Sequence, residues 1–387
     1  MRPLRLLLLP LVLLACSGPQ ALENTSGPEA QSPIDALVAG GGTEGFARAE
    51  VVREFVFPED HGPHPDFQTE WWYVTGHLET EEGRRFGLQW TIFRRALSPE
   101  MGERDSDWAS RQLYMGHMAL SDIDGERHIA AERFTRGAAG LAGAEIRPFR
   151  VWLEEWSAEG VGDPESIWPM RLRSGAATDK GTFQLDIELD AVKNHVLQGD
   201  RGLSWKHEGG ASYYYSFTRI DAAGTVELDG ERFDVKGAAW LDREWSTSTL
   251  SEDQAGWDWF SLQLEDGRDL MYYQLRQKDG DAHPMSAGVL VEADGTYTTL
   301  ERDDVQLDVL DRWRSPRSQG RYPVLWRLRA PKYGIDLGVE PLFEDQELDI
   351  AFRYWEGAVD VRIDGDIAGR GFVELVGYAD EAAASGR

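Results

Sequence analysis

Acidic residues set among tryptophans are the most chemically suggestive feature of this sequence. Residues 239–245 read AWLDREW, and residues 256–259 read GWDW. Because side chains alternate along a strand, Trp240, Asp242 and Glu244 should share one face. A carboxyl group among aromatic rings loses hydration, so its pKa rises and it can stay protonated near neutrality. Such an acid can protonate a double bond or a leaving group, and aromatic faces stabilise the cation that develops.

A structural role is the alternative for the same acids. Asp242 or Glu244 could pair with Arg243, or with another arginine such as Arg94, in the wall of a domain. The residue that pairs with Asp242 distinguishes a catalytic role from a structural one. A clamping arginine would favour a structural or carrier protein, whereas an unpaired Asp242 facing a large apolar cavity would favour catalysis.

A run of tyrosines at residues 207–216 (HEGGASYYYS) is a second candidate. Tyr213 and Tyr215 must share one face of a strand, with Tyr214 on the other. Glu208 and the glycine pair precede the run, and glycine permits a bulge or a close backbone approach. The tyrosines could contact a substrate or fill the wall of a barrel, and the sequence leaves both interpretations open.

Two histidines occur in the loop at residues 57–64 (FPEDHGPH). His61 and His64 could be metal ligands, helped by Asp60 or Glu70. They lie in a loop rich in Pro and Gly, where no helix face aligns the two rings. We therefore expect a structural loop and no metal site.

Two hairpin patterns must position these groups. Residues 70–94 and 256–276 each contain a strand rich in Trp or Tyr, an acidic turn with Gly, and a second strand ending in Arg. Aromatic residues favour pleated surfaces and Gly supplies the turn, so each segment predicts a β-hairpin. The repetition, about half the chain apart, predicts two related all-β domains. Candidate substrate contacts on these strands are Glu70, Trp72, Tyr73, Trp257 and Trp259.

Short alternating strands separated by Asp-Gly turns continue through the rest of the chain. No segment shows a helical stripe of useful length, and this pattern favours barrels or sandwiches. We place the domain boundary in the loop-like segment 220–225. The prediction is an N-terminal barrel at residues 48–222 and a C-terminal barrel at residues 223–380.

Composition excludes several classes of protein. A chain of 387 residues with a hydrophobic fraction of 41% and 15 Trp can build two cores and is not disordered. The formal net charge of -28, without any cationic run, argues against a nucleic-acid partner. The sequence contains no Gly-x-Ser-x-Gly elbow, phosphate loop or dinucleotide fingerprint. We therefore expect no organic cofactor.

The N-terminus predicts export and lipidation. Residues 1–15 carry two Arg before a short apolar run, which is typical of a signal peptide. The segment LLAC ending at Cys16 resembles a lipobox, so Cys16 is the expected site of acylation and membrane anchoring. It is the sole cysteine, which rules out internal disulfides. Residues 16–47 read as a lipidated flexible linker, and the expected location is the cell envelope. In a Gram-negative host this would be the outer membrane, facing the periplasm.

Six motifs together resemble the carotenoid 1,2-hydratase/AttH family, and more closely its secreted branch of predicted hydrolases. They are FPxDHG at 57–62, EWWYxTG at 70–76, LDREWS at 241–246, GWDWF at 256–260, and YWEG at 354–357 with ELxGY at 374–378. The similarity runs in order from Val52 to Tyr378. It implies two lipocalin-like antiparallel β-barrels packed together.

The resemblance also implies roles for particular residues. Hydratases of this family add water across a terminal double bond of an acyclic carotenoid by protonation from an Asp, which corresponds to Asp242. Trp240 stands where they have a neighbouring Tyr, and Tyr213 and Tyr215 fall near their His and Trp. Because these three positions differ, the resemblance implies acid catalysis on a lipophilic, isoprenoid-type substrate without specifying a carotenoid.

Two functions fit these observations. In the first, the protein is a cofactor-independent hydratase or hydrolase with Asp242 as its acid. In the second, the same cavity carries a lipophilic ligand without chemistry. Some bacterial relatives resemble companions of ABC-type exporters, so such a transporter is an expected partner of the carrier.

Overall fold

The computed structural model describes residues 42–100, 110–247 and 250–379, which form two antiparallel β-sheets. The predicted signal peptide and Cys16 lie outside the described residues. Short 3₁₀ turns lie at Glu59–His61, Arg302–Asp304 and Pro331–Tyr333, and Tyr378 and Ala379 are helical. None of the helices in these ranges has the length and apolar character needed to cross a membrane.

The first sheet is nearly closed into a barrel. Its strands are β1 (Thr69–Glu79), β2 (Arg85–Ala96), β3 (Gln112–Asp122), β4 (Arg127–Arg136), β5 (Ala142–Ile146), β6 (Phe149–Leu153), β7 (Trp156–Gly160), β8 (Met170–Thr178), β9 (Gly181–Ala191), β10 (Val196–Leu197), β11 (Leu203–His207), β12 (Gly210–Leu228) and β13 (Glu231–Ser246). The strand order is β4-β3-β2-β1-β13-β12-β9-β8-β7-β6-β5, and β10 and β11 pair with β12.

The second sheet is curled into a half-barrel. Its strands are β14 (Gln254–Leu264), β15 (Asp269–Gln277), β16 (Ala287–Val291), β17 (Tyr297–Glu301), β18 (Gln306–Arg314), β19 (Arg321–Ala330), β20 (Ile335–Pro341), β21 (Glu347–Leu348), β22 (Tyr354–Ile363) and β23 (Asp366–Val376). The order is β17-β16-β15-β14-β23-β22-β20-β19-β18, and β21 pairs with β22. The predicted all-β fold of two lipocalin-like domains is confirmed.

The two aromatic segments form equivalent hairpins. β1 pairs with β2, and β14 pairs with β15, both antiparallel. On its other side β1 pairs with β13, and β14 pairs with β23, so each hairpin joins the last strand of its own sheet. The hairpins predicted from the two sequence patterns are therefore present at matching positions in the two domains.

The chain leaves the first sheet later than the sequence suggested. The predicted boundary between residues 222 and 223 falls inside β12, which continues to Leu228. β13 then pairs with both β12 and β1. The change of sheet therefore lies between Ser246 and Gln254, and Asp242 belongs to the first domain.

The central strands of the first sheet are buried on both faces. Trp72 and Val74 of β1 pack into the core enclosed by that sheet. Tyr73, on the opposite face, packs with Trp240 and Trp259 in an aromatic layer between the two sheets. This two-sided burial positions the site, because one face of β1, β12 and β13 belongs to the layer that joins the domains.

Candidate active site

A cavity of about 190 Å³ lies between the two sheets. One wall comes from β1, β2, β3, β11, β12 and β13, and the other from β14, β15, β22 and β23. Aromatic side chains supply much of its surface: Trp71, Tyr73, Tyr214, Trp257, Trp259 and Tyr273. Its ionisable groups are His117, Lys206, Asp242, Glu244 and Glu374. Such a cavity suits an apolar ligand that meets a few polar groups.

Asp242 lies in β13 and lines this cavity. Its carboxylate accepts hydrogen bonds from the Tyr214 hydroxyl at 2.5 Å, the Ser216 hydroxyl at 2.5 Å and Trp240 Nε1 at 2.7 Å. All three donors are uncharged. Among the described residues, no Lys, Arg or His forms an ion pair with Asp242. The acid is therefore held in place by neutral groups alone.

Burial raises the pKa of Asp242 to about 7, because the ionised carboxylate loses its hydration in the layer between the sheets. Hydrogen bonds from Ser216, Tyr214 and Trp240 oppose this rise in pKa, and the charge of Glu244 adds to it. A carboxyl group with a pKa near neutrality is present in both forms at working pH. It can therefore donate a proton and recover one, as a general acid must.

Arg94 and Arg243 reach the opposite face of the sheet. There Arg243 Nη2 lies 2.6 Å from Glu70 Oε2, and Arg94 binds the other carboxylate oxygen of Glu70. Burial alone would raise the pKa of Glu70, but the two arginines hold that pKa below its ordinary value. The arginines that would pair with Asp242 if it had a structural role therefore pair with Glu70.

His61 and His64 pack around the same ionic cluster. The His64 ring stacks on Trp245 with centroids 3.7 Å apart, and its Nδ1 lies 3.2 Å from Glu70 Oε2. His61 Nδ1 lies 2.6 Å from the Tyr215 hydroxyl. No group of three or more His, Cys, Asp or Glu within the described residues is arranged to hold a metal ion. The histidine loop thus packs onto the first domain as a structural element.

Several residues that the sequence suggested lie away from the cavity. Trp72 is in the core of the first sheet, with its Nε1 donating to the His61 carbonyl at 3.0 Å. Tyr213 and Tyr215 belong to that core too, as their alternation with Tyr214 requires. Glu208 is exposed in the turn before β12. The predicted residues that the structure does not bring to the cavity are Glu70, Trp72, Glu208, Tyr213 and Tyr215.

The other predicted residues do meet in or against the cavity: Tyr73, Trp240, Asp242, Glu244, Trp257 and Trp259. Trp240 packs edge-on against Trp259, with ring centroids 6.3 Å apart. Glu244 lies 3.1 Å from Lys206 Nζ and accepts a hydrogen bond from Ser212. Glu244 therefore has a cationic partner in the cavity wall. Asp242, two residues earlier, is the better proton donor.

The second sheet also supports the acid. Trp259 Nε1 of β14 donates to the Tyr214 hydroxyl at 3.2 Å, and Tyr214 in turn donates to Asp242. This hydrogen-bond chain joins the two domains at the candidate catalytic group. Docking of the domains therefore fixes the rotamer of Tyr214 and the orientation of the carboxyl group.

Tyr214, Ser216 and Lys206 are site residues that the sequence did not single out. A signal existed for two of them, because the alternation that turns Tyr213 away from the cavity turns Tyr214 and Ser216 toward it. Ser216 is the cross-strand partner of Asp242. The sequence did not indicate Lys206, because its contact with Glu244 depends on the pairing of β11 with the beginning of β12.

The sequence matches the AttH-like family over residues 48–378. The chain is similar in sequence and fold to an AttH protein from Nitrosomonas europaea whose crystal structure is known. The two chains have 36% sequence identity and a TM-score of 0.75, and the match covers 86% of this chain and 99% of the other. Kievitone hydratase from Nectria haematococca has 15% identity and a TM-score of 0.61, with 87% of this chain and 97% of the hydratase covered.

No curated protein matches the sequence. At 15% identity, the likeness to kievitone hydratase concerns the fold. The family match extends through both domains and includes the strands that line the cavity. This chain therefore belongs to the AttH-like family.

Proposed function

We propose that this protein is a cofactor-independent hydratase or hydrolase that acts on a lipophilic substrate, with Asp242 as the general acid. One observation carries the proposal: Asp242 is buried against an aromatic cavity with three neutral donors and no ion pair among the described residues, while Lys206 of the same cavity pairs with Glu244. A carboxyl group kept only for stability would gain more from an arginine, as Glu70 does.

The chemistry follows from the cavity. The protonated carboxyl of Asp242 gives its proton to a carbon of a double bond, whose π electrons form the new C–H bond. The neighbouring carbon becomes cationic, and the faces of Trp257 and Trp259 stabilise that charge. Water adds to the cation and loses a proton, which leaves an alcohol. Protonation of a leaving-group oxygen by the same acid would instead begin a hydrolysis.

The substrate class follows from the walls. Aromatic and aliphatic side chains line most of the cavity, and three of its five ionisable groups are acids. A neutral lipophilic molecule, such as an isoprenoid, fits this surface better than an anion does. Kievitone hydratase, which shares the fold, is named for a hydration, and this agrees with the addition of water.

The proposal includes a location. Acylation of Cys16 would hold the protein at the cell envelope, where lipophilic substrates partition, and an ABC-type transporter could supply or remove them. This part of the proposal depends on the sequence alone, because Cys16 lies outside the described residues.

The test is incubation of a lipid extract from the host with three forms of the protein: native, Asp242→Asn and Asp234→Asn. Asp234 is the matched control, since it is exposed on the same strand as Asp242. Mass spectrometry of organic extracts should show a compound that has gained one water, or has been cleaved by water, with native protein and Asp234→Asn only. Retention of one unmodified lipid by all three forms would instead identify a carrier.

A further inference from the structure

Two glutamates face each other at the second wall of the cavity. Glu356 of β22 and Glu374 of β23 are directly opposite in the antiparallel register. Glu374 lines the cavity, while Glu356 lies behind it and is fully buried. Side chains in such a cross-strand pair are neighbours, so the two carboxyl groups meet in the layer between the domains.

Neutral donors hold this pair, as they hold Asp242. Trp257 Nε1 donates to Glu374 Oε1 at 2.5 Å, and the Tyr73 hydroxyl donates to Glu356 Oε1. Within the described residues neither carboxyl group has a cationic partner. The second oxygen of Glu356, Oε2, is buried and accepts no hydrogen bond from the described part of the chain.

A shared proton accounts for this arrangement. Two carboxylates side by side in a buried layer cannot both ionise, so one of them retains its proton. If Glu356 is the protonated member, its carboxyl group donates a hydrogen bond to Glu374. Burial, followed by the charge of Glu374, raises the pKa of Glu356 well above its ordinary value. Burial raises the pKa of Glu374 to about 7.

We propose that Glu374 is a second proton-transferring residue of the cavity. It is the base that takes the proton from water as the water adds to the substrate. Glu356 holds the carboxyl group of Glu374 in position for this transfer. This inference rests on the proposed function. As Asp242 gives its proton to carbon, the water oxygen forms the C–O bond, and one O–H bond breaks toward a carboxylate oxygen of Glu374. Asp242 ends ionised and Glu374 protonated, and exchange with solvent restores both.

Tyr73 links the strand pair that carries Asp242 to the glutamate pair of the second domain. Tyr73 is the cross-strand partner of Asp242 on β1, and its hydroxyl donates to Glu356. The acid and the base therefore come from different domains, and Tyr73 fixes one relative to the other. A substrate between the two sheets would meet a proton donor on one side and a proton acceptor on the other, as addition of water requires.

Infrared spectroscopy of the intact protein tests the shared proton without any substrate. At neutral pH the native protein should show, beside the C=O stretch of protonated Asp242, a second protonated-carboxyl band that disappears in Glu356→Gln and persists in both Asp242→Asn and Glu265→Gln. Glu265 is the control because it is exposed, in the turn after β14. An unchanged band in Glu356→Gln would overturn the pairing.

Activity on the host lipid extract tests the role of Glu374. Glu374→Gln should lower turnover about 100-fold, the usual contribution of one acid or base group, with KM little changed. Glu374→Asp should recover part of the turnover with a shifted pH profile, and circular dichroism should show that both variants are folded. Turnover lost in Asp242→Asn but retained in Glu374→Gln would overturn this inference alone. No conversion by the native protein would overturn the proposed function, and the role of Glu374 with it.

Discussion

Replacing Asp242 by Asn should stabilise the protein at alkaline pH and not at acidic pH. The reason is that burial of this side chain favours its protonated form, which Asn imitates at every pH. Since the pKa is raised in the folded state, the stability that protonated Asp242 contributes is fully present below its unfolded value. It is lost as pH rises through the folded value.

The structure sets the size of this effect. The pKa of Asp242 moves from 3.8 to about 7, which is about 3 units. At about 1.4 kcal/mol for each unit, the native protein should lose up to about 4 kcal/mol of folding free energy relative to Asp242→Asn between these two pH values. Loss of hydrogen bonds in the variant adds a constant that cancels when two pH values are compared.

Urea unfolding of native protein, Asp242→Asn and Asp234→Asn at about pH 4 and about pH 8 measures the effect. The difference between native protein and Asp242→Asn should change by several kcal/mol between the two conditions, in favour of the variant at the higher pH. Asp234→Asn should show no such change, because Asp234 is exposed. A pH-independent difference for Asp242→Asn would refute the reasoning, since it would mean that Asp242 titrates as an ordinary surface acid.

Two further predictions concern the surroundings of the acid and the ionic cluster behind it. Tyr214→Phe removes a hydrogen-bond donor to the carboxylate of Asp242. A hydrogen bond to a charged acceptor is worth about 1.5–3 kcal/mol, so its loss should raise the pKa of Asp242 by about 1–2 units. The alkaline limb of the pH–activity profile should therefore move to higher pH by the same amount. A downward movement would contradict the role of Tyr214. Glu70→Gln leaves Arg94 and Arg243 buried without their anion and should cost about 3–5 kcal/mol in urea unfolding at neutral pH. Because the folded-state pKa of Glu70 is lowered, this cost should shrink as pH falls below 4.5, and a constant cost would contradict it.

The fold and half of the site could be read from the sequence because strand alternation has a strict period. Period two correctly grouped Trp240, Asp242 and Glu244 on one face, and it separated Tyr214 from Tyr213 and Tyr215. The pattern could not say which face of a strand meets the second domain. In β1, in the first half of β12 and in the second half of β13 both faces are largely buried, so neither carries the polar signature of a solvent-facing side.

The domain boundary was misplaced for a related reason. The segment Ala222-Ala223-Gly224 has the composition of a loop, yet it continues β12 in register with β9 and β13. Gly224 has φ of +156°, and a Cβ there would lie 2.1 Å from the Asp186 carbonyl oxygen of β9. At this position glycine allows a close approach between two strands. The sequence alone does not distinguish such a glycine from one in a turn.

The pairing of Glu356 with Glu374 depends on a β-bulge that the sequence pattern does not predict. The hairpin turn pairs Ile363 with Asp366, and uninterrupted pairing from that point would place Glu356 opposite Val373. A register shift between Val361 and Arg362 moves the partner by one residue, to Glu374. Since a shift of one residue exchanges the faces of a strand, this bulge brings the two carboxyl groups together.

The central claim is that Asp242 delivers a proton to carbon inside the cavity. The most direct test is the reaction of native protein and Asp242→Asn with the host lipid extract in deuterium oxide, followed by mass spectrometry and NMR of any product. The account predicts an alcohol that carries one carbon-bound deuterium, formed by native protein and not by Asp242→Asn. A hydrated product without carbon-bound deuterium, equal conversion by both forms, or equal retention of one unmodified lipid would contradict it.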